Sequence, residues 1–183
     1  SVPTVYIRLI REMREGKAGG EDLCLRLCVT AGAPCPEQTL RDMKRVMGAE
    51  AAVVMYGMTE AGPGISSTSM DDSLETAVST VGRLWPGVTG RIQDLTTGRV
   101  LGPGQAGELC IKSYGVMKGY YNNPEETEKA VDREGWLHTG DIASLSEDGL
   151  LTLKGRCKDL IIRGGENISP REIEDFIRNY EPV

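Results

Sequence analysis

Residues 23–55 read LCLRLCVTAGAPCPEQTLRDMKRVMGAEAAVVM, and the pattern of this stretch decides the fold class. Leu23 to Thr30 is short and rich in apolar residues, and Ala31-Gly32-Ala33-Pro34 breaks it, so it reads as a strand. Pro36 to Met47 reads as a helix, with Leu40, Met43 and Met47 on one face and Gly48 just past its end. Ala51 to Met55 is an apolar strand stopped by Gly57. Strand, helix, strand over so short a span is a βαβ unit, which implies parallel strands.

On the amino side, Val5, Leu9 and Met13 recur at helical spacing with Ile10 beside them, and this helix ends near Gly16. On the carboxyl side the texture changes after Gly64. Val81 to Leu153 holds short strands divided by turn residues such as Thr97-Gly98 and Gly102-Pro103-Gly104. Glu147-Asp148-Gly149 reads as a hairpin turn between Ile142–Leu145 and Leu150–Leu153. One short helix interrupts this β-rich section, with Asn123 as cap and Pro124 in the first turn. Lys154 to Asp159 is polar and reads as a linker. Leu160-Ile161-Ile162 follows as a strand. Ser169-Pro170-Arg171-Glu172 then forms a capping box before Ile173, Phe176, Ile177 and Tyr180 at helical spacing. The expected fold class is α/β: a βαβ piece of a large parallel-sheet domain, a β-rich barrel-like subdomain, then the start of a small α+β domain.

The chain has 183 residues, 39% of them hydrophobic, which suffices for a packed core. A net charge of −6 argues against a nucleic-acid partner or an anionic membrane surface, since phosphate binding needs a basic patch. No apolar run is long enough to span a bilayer, and the amino end lacks the basic-then-apolar order of a signal peptide. Cys24, Cys28, Cys35, Cys110 and Cys157 form no Cys-x-x-Cys pair, and His138 is the single histidine, so they read as free thiols in a reducing, intracellular setting and not as a zinc site.

Three short segments carry residue types suited to chemistry. Tyr56-Gly57-Met58-Thr59-Glu60 follows an apolar strand of the βαβ unit, where open parallel sheets bind ligands. There a Gly permits close backbone approach, a Tyr can stack on a ring, a Thr hydroxyl can bond a phosphate oxygen and a carboxylate can hold Mg²⁺. A pair of ordinary glycine turns explains the same residues, and composition by itself favours that explanation. His138-Thr139-Gly140-Asp141 places an Asp where it can accept from ribose hydroxyls; a surface turn is the plainer alternative. His138 has no Ser or Cys partner at a recognisable spacing, so it reads as a packing residue. Gly155-Arg156-Cys157-Lys158-Asp159, followed by Gly164-Gly165-Glu166-Asn167-Ile168, offers a guanidinium fork and a narrow backbone wall, or simply a charged linker and a tight turn. Gly102-Pro103-Gly104-Gln105-Ala106-Gly107 matches the dinucleotide-binding glycine pattern, but it runs into the strand-like Glu108–Lys112 and not into a helix, so it reads as a hairpin loop.

Taken in order, Tyr56–Glu60, Gly107–Lys112 with Val116–Tyr120, Gly135–Asp141, Gly155–Asp159 and Gly164–Ile168 resemble the carboxyl-half motifs of the AMP-forming adenylating superfamily. That superfamily includes acyl-CoA synthetases, 4-coumarate–CoA ligases, firefly luciferase and peptide-synthetase adenylation domains. The look is nearest to medium-chain and fatty acyl-CoA synthetases. The resemblance implies that Gly32, Ala33 and Pro34 line the adenine and acyl pocket, that Tyr56 with Gly57 and Met58 borders the nucleotide, that Thr59 contacts phosphate and that Glu60 binds Mg²⁺. It implies a ribose contact for Asp141, a ribose or phosphate contact for Arg156, a hinge at Lys158, and a coenzyme A tunnel bordered by Gly164, Gly165 and Glu166.

It also implies boundaries: residues 1–75 as the end of the α/β part of a large AMP-binding domain, 76–156 as its β-rich part, and 157–183 as the start of a small domain. The superfamily's Ser/Thr/Gly-rich phosphate loop and its catalytic lysine are both missing, so the chain is expected to be a fragment of a longer enzyme. The substrates the resemblance implies are a carboxylic acid of the fatty class, with ATP and coenzyme A. An adenylating enzyme with another acceptor, or a truncated non-catalytic binding module, would fit the same residues. Acid identity, organelle and oligomeric state are not encoded in these motifs.

Overall fold

A computed structural model of the chain describes residues 1–17, 23–62, 64–163 and 166–168 together with positions 170, 173, 176 and 177. It divides into two compact units, Ser1–Pro86 and Gly87–Val183.

The first unit is a mixed sheet backed by helices. Its elements are α1 (Pro3–Arg14), β1 (Leu27–Ala31), α2 (Glu37–Arg45), β2 (Ala51–Tyr56), a 3₁₀ turn (Thr59–Ala61), β3 (Ser66–Ser67), α3 (Leu74–Ser79) and β4 (Arg83–Leu84). The expected βαβ unit is present: β1 and β2 are parallel, in register from Leu27↔Ala51 to Ala31↔Met55. The strand expected from Leu23 begins only at Leu27, because the ladder starts where β2 starts; the carbonyls of Leu25 and Arg26 still accept from the amides of Glu50 and Ala51. The apolar face read on α2 is the buried one. Leu40, Met43 and Met47 join Tyr6 and Ile10 of α1, Cys28, Ala52 and Val54 in one core. Gly48 takes a positive φ of 72°, and the next amide, of Ala49, bonds back to the Met43 carbonyl, which closes the helix end.

Asp42 is buried on the same helix. Its Oδ1 accepts from Arg14 Nη2 at 2.8 Å and from Gln38 Nε2 at 3.0 Å, so the charge is paired and ties α1 to α2. α3 runs across residue 75 and β4 lies past it, and both belong to this first unit.

Gly82 is fixed by sterics. Its φ is +73°, and a Cβ there would lie 1.9 Å from the Ser67 carbonyl oxygen and 2.2 Å from the Thr68 nitrogen. Both neighbours are backbone and cannot swing away. Gly82→Ala should therefore destabilise the folded protein by roughly 2–4 kcal/mol, the sum of overpacking and left-handed strain. Denaturant unfolding checks this; an unchanged midpoint would contradict it.

The second unit is a four-stranded antiparallel meander: β5 (Val88–Gln93), β6 (Gly107–Ser113), β7 (Leu137–Leu145) and β8 (Leu151–Arg156) in that order. Leu109, Cys110, Ile111, Leu137, Ala143 and Leu151 are fully buried. The barrel-like closure expected from sequence does not form among the described residues; the sheet is open, with β5 and β8 as its edges. Four strands are too few to close at ordinary strand tilt. The hairpin at Glu147-Asp148-Gly149 is as expected, with Gly149 at φ 76° and its amide bonded to the Ser146 carbonyl. α4 (Pro124–Ala130) is capped by Asn123, whose Oδ1 accepts from the Glu126 amide at 3.2 Å. The Gly102–Gly107 loop leads into β6 and not into a helix.

Lys154–Arg156, read as linker, is the end of β8, paired through Gly155↔Ile142 and Arg156↔Asp141. The polar texture misled because β8 is an edge strand, where charge is tolerated and guards an open ladder. A 3₁₀ turn (Cys157–Asp159) follows, then β9 (Ile161–Arg163) and β10 (Glu166–Ile168), an antiparallel pair. Pro170, Ile173, Phe176 and Ile177 are helical, whereas Gly164, Gly165, Ser169, Arg171, Glu172 and Tyr180 lie outside the described residues. No helix among the described residues is long and apolar enough to cross a membrane.

Candidate functional site

Two groups of the residues singled out in the sequence are assembled, one in each unit. In the first, β1 and β2 run parallel and end together at Ala31↔Met55. The chain leaves β1 through Gly32, at φ +82°, and Gly32, Ala33 and Pro34 are exposed. It leaves β2 through Tyr56, which is buried, and then through Gly57 and Met58 into the Thr59–Ala61 turn. The Ala61 amide bonds the Met58 carbonyl and the Gly62 amide bonds the Thr59 carbonyl, so the turn is fixed by its own backbone. Thr59 is exposed and Glu60 half-buried. Adjacent ends of parallel strands form the rim where α/β sheets bind ligands.

Beside this rim, Trp85 lies over Gly64, where a Cβ would come within 2.1 Å of the ring, and its Nε1 donates to Ser67 Oγ at 2.9 Å. Neither residue was singled out from the sequence.

In the second unit, Asp141 and Arg156 face each other across β7 and β8, and Arg156 Nε bonds Asp141 Oδ1 at 3.0 Å. Asp141 is buried while the Arg156 side chain is 54% exposed, so the pair joins the sheet interior to its surface. Lys158 follows two residues later, exposed in the Cys157–Asp159 turn. Burial, with the charges of Glu108 and Asp141, pushes the Cys157 thiol up to about 11, which makes it a poor nucleophile at neutral pH.

His138 is not the packing residue expected. Its Nδ1 bonds Glu108 Oε2 at 2.9 Å, and its Nε2 lies 3.8 Å from Asp132 Oδ2. Asp132 in turn neighbours Arg91, whose guanidinium lies 4.3 Å above the Trp136 ring. The donor atoms of Glu108, Cys110 and His138 lie within 4.8 Å of one another, close enough for one ion. Their contacts are already accounted for by hydrogen bonds, however. Burial, then the Glu108 charge, pushes the Cys110 thiol up to about 12, so it stays protonated, and it donates to Gln93 Oε1. The cluster is a self-satisfied hydrogen-bond network. No local pattern marks it, because Glu108 and His138 stand 30 residues apart.

The strand-end rim with its Thr–Glu turn stands in the first unit and the Asp–Arg pair in the β-meander of the second, within an α/β protein. The chain belongs to the AMP-binding enzyme family, whose model matches residues 1–121. It is 42% identical over its whole length to a putative acyl-CoA synthetase, YngI, of Bacillus subtilis. It is 41% identical over 99% of its length to the human mitochondrial medium-chain acyl-CoA ligase ACSF2. It covers 33% of the first and 29% of the second, so it spans about a third of the relatives it matches. Among solved structures, ATP-bound MatB from Rhodopseudomonas palustris superposes with a TM-score of 0.83 at 35% identity, over all of this chain and 35% of that one. The O-succinylbenzoate coenzyme A synthetase MenE of Bacillus subtilis, in complex with ATP and magnesium ion, gives 0.82 at 30% identity over 98% of this chain and 35% of that one.

Proposed function

We propose that this chain is a carboxyl-side, nucleotide-contacting part of an AMP-forming acyl-CoA synthetase, running to residue 156 as the end of its large domain and from 157 as the start of its small one. The observation that carries the reading is the match of essentially the whole chain to acyl-CoA synthetases at 41–42% identity. The parent protein would work inside the cell and run two half-reactions. A carboxylate oxygen of the acid attacks the α-phosphorus of ATP, the bond to the bridging oxygen breaks, and pyrophosphate leaves. The thiol of coenzyme A, having lost its proton, then attacks the acyl carbon, and AMP leaves with the oxygen that joined acyl group to phosphorus.

In this reading Gly32, Ala33 and Pro34 wall the adenine and acyl pocket, and Tyr56 lies against the base with Gly57 and Met58 beside it. Thr59 donates to a phosphate oxygen. Glu60 suits Mg²⁺ because a carboxylate at a strand-end rim is a hard oxygen donor; when bound, the ion neutralises phosphate charge. Asp141 accepts from the ribose hydroxyls and Arg156 contacts ribose or phosphate. Lys158 is the hinge that lets one site serve two chemistries, and Gly164, Gly165 and Glu166 border the pantetheine path. Catalysis then consists mainly of positioning and charge neutralisation.

The test is a panel of carboxylic acids with ATP and coenzyme A on the parent protein. Acid-dependent pyrophosphate release coupled to acyl-CoA formation is expected, with a medium-chain or longer fatty acid preferred. Pyrophosphate release with no thioester would transfer the reading to an enzyme with a different acceptor; neither product would refute it.

A further inference from the structure

Between β6 and β7 the ladder slips. Glu108 stands opposite Ile142 and Cys110 opposite His138, so three residues of β7, Thr139, Gly140 and Asp141, face Leu109 alone. Such a bulge re-aims the side chains it carries. Gly140 has φ +68°, a conformation glycine adopts freely. The bulge is held by four side-chain bonds. Glu108 Oε2 bonds His138 Nδ1 at 2.9 Å, and Glu108 Oε1 accepts from the Gly140 amide at 3.1 Å. Thr139 Oγ1 donates to the Leu109 carbonyl at 2.8 Å and accepts from the Asp141 amide at 3.1 Å. One carboxylate on β6 thus grips the chain on both sides of Thr139, immediately before Asp141.

We propose that Glu108 is a positioning residue for nucleotide recognition: by fixing this bulge it sets where the Asp141 carboxylate lies, and so how well the protein distinguishes ribose from deoxyribose. The proposal rests on the reading of Asp141 as the ribose contact. Thr139 shares the task through its own two bonds. His138 braces Glu108 through the carboxylate oxygen that Gly140 does not use.

The experiment measures KM for ATP and for 2′-deoxy-ATP with the parent protein and its variants, the readout being the ratio of the two. A loss of general stability would not move a ratio of substrates that differ by one hydroxyl. The unaltered protein should favour ATP by roughly tenfold or more, the effect of one hydrogen bond to a charged group. Asp141→Ala should bring the ratio close to one. Glu108→Ala should lower it most of the way, and adding Glu108→Ala to Asp141→Ala should change it no further, because the two act through one contact. Glu108→Gln should keep most of the preference, since its carboxamide oxygen can still accept from Gly140. Thr139→Val tests the same bulge with Glu108 intact and should also narrow the ratio. If the unaltered protein favours ATP and both Glu108→Ala and Thr139→Val favour it equally well, the positioning role is wrong while the ribose role of Asp141 stands. If the unaltered protein does not distinguish the two nucleotides, the ribose role falls and the inference falls with it.

Discussion

Glu60→Gln in the parent protein should slow acyl-adenylate formation by roughly 100- to 1,000-fold, the usual loss when one preorganised contact to developing charge is removed. Glu60 stands inside the Thr59–Ala61 turn, which is held by backbone bonds and by the buried Ala61. The substitution keeps shape and removes charge, so the turn should survive while metal use suffers. The loss should therefore shrink as Mg²⁺ is raised. Thr59→Ala removes a hydroxyl from an exposed position in the same turn and should slow the same step without that dependence on Mg²⁺. Single-turnover pyrophosphate release at limiting and saturating Mg²⁺ measures both. Rates like those of the unaltered protein at limiting Mg²⁺ would remove the two residues from the site.

Lys158→Pro should divide the two half-reactions. Lys158 lies in a 3₁₀ turn just past β8 and is exposed. The 3₁₀ φ range includes the value proline imposes, so proline favours the turn as it stands and resists any conformation that moves φ. If the turn is the hinge, adenylate formation persists while thioester formation falls, by roughly a hundredfold for a penalty of about 3 kcal/mol on the rotated form. Proline also crowds Cys157 in the same turn, a strain that offsets part of that preference. The comparison is between pyrophosphate release in one turnover and acyl-CoA formation from supplied acyl-adenylate. Equal losses in both would identify a local folding defect and end the hinge assignment.

Much of the first unit was legible because its signals are local. Helical spacing placed Leu40, Met43 and Met47 on the buried face, and the apolar run Ala51–Met55 marked the central strand. The Asn123 cap and the Gly149 turn were legible for the same reason. Elements made by pairing were not. β3 and β4 have two residues each, too few for a period, and Lys154–Arg156 is a strand only because β7 lies beside it. The site divides the same way. Thr59, Glu60, Asp141 and Arg156 lie in motifs that the sequence displays. The bond between Asp141 and Arg156 follows from strand register, and the hold of Glu108 on Gly140 crosses 32 residues. No periodicity carries that information, since it resides in a bulge that exists only once the sheet has formed.

The proposed reaction bonds a carboxylate oxygen of the acid to the α-phosphorus of ATP. It is tested most directly by running the parent protein's reaction with a fatty acid whose carboxylate carries ¹⁸O, and weighing the AMP that leaves. Attack on the α-phosphorus followed by thiol attack at the acyl carbon puts one labelled oxygen into each AMP and leaves pyrophosphate unlabelled. Acyl-CoA formed with unlabelled AMP, or with the label in phosphate or pyrophosphate, would contradict it.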